Sequence, residues 1–319
     1  MNGITPRISL IDVRALRPAS FGAKTENGTT GGRLSPLEAL LRPRSAAVER
    51  ELPEEIPSGS FYGMVGRSPA MLSVFATLAR MAAYPVTPLL LGEPGCGKSC
   101  AAKALHRASD RAAERMISFD CRQAQDLPIE NILFGQVGGI APAQNSADRP
   151  GLLEMAHEGT LHLQEISELP IDVQVKLLRF LESREIRRVG SAQLRRLDVR
   201  IITSSERDLS LLCTQGKFRG DLLYRLNVGS IVLPPLREIP EDIPMLVSHL
   251  LERVAMVNGL PPQALSPQAH RELAAYGWPE NVRQLFAVLL AGSRRACGRE
   301  IQNTDLGLPA MDHPSMPGV

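Results

Sequence analysis

Two rhythms of apolar side chains alternate between residues 61 and 305. Short runs over 86–91, 116–121, 160–163, 199–204 and 230–233 are rich in Leu, Ile and Val and have the length of buried strands. Helical spacings lie between them. Met71, Leu72, Phe75, Leu78 and Met81 follow Pro69, which suits a first helical turn. A helix is predicted over 98–109, and another with its apolar face at Val173, Leu177, Leu178 and Leu181. Strand and helix in alternation predict an α/β domain over 61–238, its parallel sheet covered on both faces. After about residue 243 the strands stop. Helices predicted over 244–257, 267–276 and 279–296 make a small all-helical domain spanning 239–305.

The two ends break the pattern. Residues 1–60 are rich in Gly, Pro, Ser and Thr, and 24–32 carry almost no apolar side chain, so a mostly disordered extension is expected, with a local apolar cluster at 8–16. Residues 306–319 read as a flexible tail. No internal repeat is found. Composition adds bounds: 44% hydrophobic, 22% charged and a net charge of +2 exclude a polycation that holds nucleic acid by charge alone. Five cysteines without regular spacing argue against a disulfide framework and for a reducing, cytoplasmic setting. No apolar run reaches membrane-spanning length.

The chemistry concentrates at LLLGEPGCGKS, residues 89–99. An apolar strand opens into Gly92, Glu93, Pro94, Gly95, Cys96, Gly97, Lys98 and Ser99, the spacing of a phosphate loop. Glycines let backbone N–H groups close on a polyphosphate, and the helix that follows points its positive end at the same anion. Lys98 is placed to reach β- and γ-phosphates and Ser99 to ligate Mg²⁺. ATP and Mg²⁺ are the expected cofactors. At Cys96 the loop dipoles would lower a thiol pKa, though a small spacer residue is the preferred reading. Strand 160–163 runs into Gln164 and Glu165, an acid at a strand end that faces the expected metal and water. His157 and His162 lack a cysteine at zinc-ligand spacing. Arg184, Arg187, Arg188, Arg195 and Arg196 read as a solvated hairpin face rather than a nucleic-acid patch, since acids are interleaved and no aromatic accompanies them.

Taken in order, GMVGRS, GEPGCGKS, LFGQ, GLLEMAHEGTLHLQEISELP, VQVKLLRFLE, RRVGS, DVRII, FRGDLLYRLNV, LPPLRE, EDIP and WPENVRQL resemble the AAA+ module of sigma-54-dependent transcription activators. The likeness covers residues 61–305. It implies a ring-forming ATPase with an α/β domain and a helical lid, ATP lying between neighbouring subunits. It implies that Glu165 polarises the attacking water, that Arg219 and Arg225, six apart on a helix, reach the next subunit's γ-phosphate, and that Arg283 senses nucleotide from the lid, whose turn Trp278 and Pro279 set.

Against that family the chain departs in several places. Gln164 stands where an Asp precedes the glutamate; the lost charge beside hydrated Mg²⁺ is worth roughly several kcal/mol in a partly shielded site, so Mg²⁺ binding and hydrolysis are expected to weaken. Asp120 stands where an Asn holds the glutamate. It either raises the Glu165 pKa by repulsion or restores the charge that Gln164 lacks, and the sequence leaves both open. Glu206 adds a third acid at a usually neutral position, and Ser99 replaces an acid often found after the loop lysine. The family's sigma-contact signature, Gly-Ala-Phe-Thr-Gly-Ala, is GIAPAQ at 139–144; losing the ring costs on the order of a few kcal/mol of contact. Too few residues follow Thr304 for a helix-turn-helix, so no DNA-binding domain of its own is expected, and the N-terminal stretch is too short and polar for a receiver domain. Three readings follow: a transcription-regulating ATPase ring, alone or mixed with relatives; a hydrolysis-deficient nucleotide-binding scaffold or antagonist; and a remodelling ATPase with a target outside transcription.

Overall fold

A computed structural model describes residues 59–123, 128–138, 148–259 and 261–308. The expected N-terminal extension up to residue 58, the stretch GIAPAQ and the tail from 309 lie outside the described residues. The first elements are α1 (Pro69–Ala82), β1 (Leu89–Leu91), α2 (Lys98–Arg107), β2 (Met116–Asp120), α3 (Ile129–Phe134) and α4 (Leu152–Met155). Then come β3 (Thr160–Gln164), α5 (Ile171–Ser183), the hairpin β4 (Glu185–Arg187) and β5 (Leu194–Arg196), β6 (Arg200–Ser205), α6 (Leu209–Thr214), α7 (Gly220–Asn227) and β7 (Ser230–Val232). The last four are helices: α8 (Ile243–Asn258), α9 (Pro267–Ala275), α10 (Asn281–Ala296) and α11 (Asn303–Leu306).

The five-stranded sheet has the order β7-β1-β6-β3-β2, every neighbouring pair parallel. Its two faces are read off by the two-residue period of a strand. Leu90, Ile202 and Ile231 pack with α1, α2 and the lid helices, whereas Leu89, Ile201, Leu161 and Leu163 pack with Phe180, Leu177 and Leu222 on the opposite face. The first of these cores continues without a break into the helical lid, where Trp278, Leu285 and Leu289 are fully buried. No helix among the described residues is long and apolar enough to cross a membrane.

The expected elements are present, with altered ends. β1 covers only Leu89–Leu91 of the predicted 86–91; Pro88 has no N–H to donate to the ladder, and its carbonyl instead accepts from the Thr203 backbone N–H at 2.9 Å. α10 starts at Asn281 rather than at residue 279, because Trp278 (φ 48), in the turn before it, and Asn281 (φ 53), its first residue, both take left-handed backbone. Ser68 caps α1 through the Met71 N–H, and its hydroxyl in turn donates to buried Asp242 at 2.6 Å, tying the first helix to the base of the lid.

Candidate functional site

All five strands end at one edge, and the crevice beyond the carboxyl ends of a parallel sheet is where such folds place ligands. β1 delivers the loop Gly92–Gly97 there, β3 delivers Gln164 and Glu165, β6 delivers Glu206, and β2 delivers Asp120. Lys98 is 7% exposed and folds back over the loop, its Nζ donating to the carbonyls of Gly92 at 2.8 Å and Glu93 at 3.0 Å. It also lies 3.4 Å from Glu206 Oε1. Ser99, on the first turn of α2, is exposed. The Cys96 thiol does not behave as the loop dipoles suggested: burial, ahead of the attraction of Lys98, pushes its pKa up. It packs inward at the hydrophobic core, so the thiol is a spacer.

Glu165 adopts left-handed backbone (φ 52, ψ 57), a strained conformation for a side chain of its kind, and is 4% exposed. Its Oε2 accepts the Glu206 N–H at 2.9 Å. Burial is the main reason its pKa is raised; the Glu206 N–H, Lys98 and Arg122 pull it down, and the Glu206 charge pushes it up. Asp120 takes neither of the two roles left open for it. It is clamped by Arg122, whose Nη2 donates to Oδ2 at 2.8 Å and whose Nε donates to Oδ1 at 3.0 Å, so its own pKa is lowered and its charge is spent locally. Arg122 was not foreseen. It also reaches 3.5 Å from Glu206 Oε2.

A second group not foreseen joins the lid to the loop. Glu93 accepts from both Arg237 terminal nitrogens, at 2.6 and 2.7 Å, and from Asn281 Nδ2 at 3.2 Å. These bonds, the Arg237 one first, push the Glu93 pKa down to about 2. Asn281 is fully buried; it also donates to the Pro94 carbonyl at 2.9 Å and accepts the Leu236 N–H at 2.7 Å. Each partner lies in a quoted stretch, GEPGCGKS, LPPLRE or WPENVRQL, but only the fold brings the three together. Gly95 (φ +77) sits directly under this turn, where a Cβ would collide with the Glu280 carbonyl and stand 3.0 Å from Arg283 Cβ. Arg283 is therefore seated on the loop, and its guanidinium makes no ion pair among the described residues.

Arg219 and Arg225 are not at this edge. Arg219 is the residue before α7 rather than a member of the helix, since its backbone is extended (φ −83, ψ 132). Its side chain pairs with Asp221 at 2.7 Å and its N–H donates to Gln174 on α5; among the described residues Arg225 reaches only the Leu181 carbonyl, at 3.5 Å. The hairpin arginines divide. Arg188 and Arg195 converge on Glu154, with bonds of 2.7, 2.8 and 3.0 Å, Arg188 being 10% exposed, while Arg187 and Arg196 are exposed. His162 is buried in the sheet beside Ser204 and its pKa falls to about 4, chiefly through burial; His157 accepts the Asp198 N–H. Among the described residues no three His, Cys, Asp or Glu side chains gather as a metal site.

Residues 64–232 match the model of the sigma-54 interaction domain, and 237–312 that of an AAA+ ATPase lid domain. The chain is 42% identical over 253 residues to the C4-dicarboxylate transport transcriptional regulatory protein DctD of Pseudomonas aeruginosa, covering 79% of this chain and 54% of that protein. With the transcriptional regulatory protein ZraR of Escherichia coli K12 it shares 35% identity, over 98% of this chain and 75% of ZraR. The chain thus spans about half the length of DctD and three quarters of ZraR. Among solved structures, NtrX from Brucella abortus in complex with ADP superposes with a TM-score of 0.71 at 31% identity, over 80% of this chain and 56% of NtrX. NtrX in complex with ATP gives 0.69 at 33% identity, over 78% of this chain and 57% of NtrX. The chain belongs to the sigma-54-dependent activator family of AAA+ proteins, carrying its sigma-54 interaction domain and its lid.

Proposed function

We propose that the chain is an ATP-binding AAA+ core that regulates transcription as a ring, alone or mixed with related chains, and that its hydrolysis is weakened. One observation carries the reading: the phosphate loop, Glu165 and the lid arginine Arg283 meet at the carboxyl edge of the sheet, where folds of this kind place ligands, and the similar NtrX structures are complexes with ADP and with ATP. Lys98 is released from the loop carbonyls to the β- and γ-phosphates, and Glu165 accepts a proton from the water that attacks the γ-phosphate. The donors offered to Mg²⁺ are the Ser99 hydroxyl and the Gln164 amide, both neutral, so the fit is partial; when bound, the ion neutralises charge on the phosphates. Arg219 and Arg225 find no partner on their own phosphate loop, which suits arginines that complete a neighbour's site.

Gln164→Asp restores the missing carboxylate and is expected to raise the rate of phosphate release about tenfold, the scale of one partly screened charge. Release by the parent chain as fast as by the variant would remove the case for weakened turnover. Arg219→Ala is expected to leave binding of ATP by the isolated chain within about twofold and to abolish any release that depends on assembly, since a trans arginine supplies a factor of about 10³ or more in related chemistry. Sedimentation with and without ATP reads the assembly itself, and a monomer in both conditions counts against the ring. The scaffold reading is favoured by Gln164 together with the Asp120–Arg122 clamp, and a chain that binds ATP without any release would establish it. Contact with sigma-54 is expected to be weak because GIAPAQ lacks the Phe-Thr pair.

A further inference from the structure

Arg122 enters the reading above only as the clamp on Asp120, yet it stands on the phosphate edge itself. Nε donates to both Asp120 oxygens, at 3.0 and 3.2 Å, and Nη2 to Oδ2 at 2.8 Å, so two of its three nitrogens are fixed. The third, Nη1, lies 3.5 Å from Glu206 Oε2, the loosest of these contacts. The other oxygen of that same carboxylate lies 3.4 Å from Lys98 Nζ. A single carboxylate group therefore separates the guanidinium from the lysine that receives the terminal phosphates. Arg122 is also open, its side chain 48% exposed against 7% for Lys98, 15% for Asp120 and 18% for Glu206. An anion arriving at Lys98 meets this second cation at once, already oriented by Asp120, with its Nη1 free to leave Glu206.

The acids at the edge are largely engaged by the chain itself: Asp120 by Arg122, one oxygen of Glu165 by the Glu206 N–H, and Glu206 by Lys98 and Arg122. With glutamine at position 164, the only carboxylate oxygen at this edge left without a partner among the described residues is the second one of Glu165, which the reading above gives to the attacking water. A site built for a divalent ion keeps acids for it, and this one spends them on a fixed guanidinium.

We propose that Arg122 is a built-in cation for the terminal phosphates, supplying part of the charge that a divalent ion supplies in other phosphate-loop sites, so that this chain holds ATP with little dependence on divalent metal. The inference rests on the nucleotide reading above and deepens it. Asp120 acts on the phosphates through Arg122, and Glu206 through Arg122 and Lys98, which makes both positioning residues.

The test is the affinity of the full chain for a fluorescent ATP analogue, measured in excess Mg²⁺ and again in EDTA. The unaltered chain is expected to change by less than about threefold between the two buffers. Arg122→Gln is expected to lose about tenfold or more in EDTA, the scale of one charge-assisted bond to phosphate, and less in Mg²⁺; Arg122→Lys recovers part of the loss. The side chain is exposed, so neither change removes packing from the core, and a thermal melt of each variant checks this. Two results overturn the proposal: an unaltered chain that loses more than about tenfold in EDTA, or an Arg122→Gln variant that matches it there. Absence of binding in both buffers overturns the nucleotide reading and this inference together, whereas binding that requires Mg²⁺ overturns this inference alone.

Discussion

Glu165→Gln is expected to leave ATP affinity within about threefold of the parent and to lower phosphate release by about 10²- to 10⁴-fold, the range for loss of a positioned base. The geometry explains why such a large effect attaches to one oxygen pair. The left-handed backbone at Glu165 turns the carboxylate back toward β6, where the Glu206 N–H holds one oxygen and leaves the other. Glutamine keeps the shape and can still accept that bond, so binding survives while the base is gone. The same site predicts a pH response. Burial holds the Glu165 pKa above its ordinary 4.5, and only the deprotonated form accepts a proton. Release should therefore fall with falling pH at a higher pH than an ordinary glutamate would give. Glu206, Lys98 and Arg122 are the charges that face it, and because the repulsion comes from Glu206, Glu206→Gln should move that fall toward lower pH. A Glu165→Gln chain that releases phosphate at the parent rate would exclude Glu165 as the base.

Gly95→Ala is the second large effect, and it acts through the lid. Alanine at φ +77 costs roughly 1 kcal/mol or more in backbone strain. The added Cβ also drives into the Glu280 carbonyl, which begins the turn holding Asn281, and backbone cannot step aside as a long side chain can. Lifting the turn breaks the bonds from Asn281 to Glu93 and Pro94 and moves Arg283 off the loop. A loss of about 2–4 kcal/mol in unfolding free energy is expected by urea titration, with nucleotide affinity falling alongside it. Gly97→Ala is the internal comparison. Gly97 also has a positive φ, +103, but an added Cβ there meets nothing within 4 Å, so only the strain remains. If the two variants unfold at the same urea concentration, collision with the lid is not what Gly95 avoids.

The elements of the α/β domain and lid were legible because each is encoded locally. Phe75 and Leu78 recur at helical spacing, Leu89 and Leu90 form a run buried on both faces, and the loop from Gly92 to Ser99 has the spacing of a phosphate loop between a strand and a helix. Where local chemistry was the wrong guide, a neighbour decided the outcome. The loop dipoles at Cys96 suggested a lowered pKa, but burial beneath the loop outweighs them. Asp120 looked like a rival or a helper for Glu165, and Arg122, two residues on, absorbs its charge.

The residues in order were enough for the family and for the candidates of the site: a loop with phosphate-loop spacing, an acid at a strand end, arginines in matching motifs, and Gln164 where the family has a carboxylate. Periodicity and contiguous motifs carry that information, since both are properties of neighbouring residues. The tertiary structure alone decided which charges neutralise which. Glu93 meets Arg237, 144 residues on, and Asn281, 188 residues on, while Glu206 meets Lys98 across 108 residues. Such pairings depend on which strand ends share the sheet edge and where the lid returns to it, and Coulomb energy at 3 Å is set by that meeting rather than by distance along the chain.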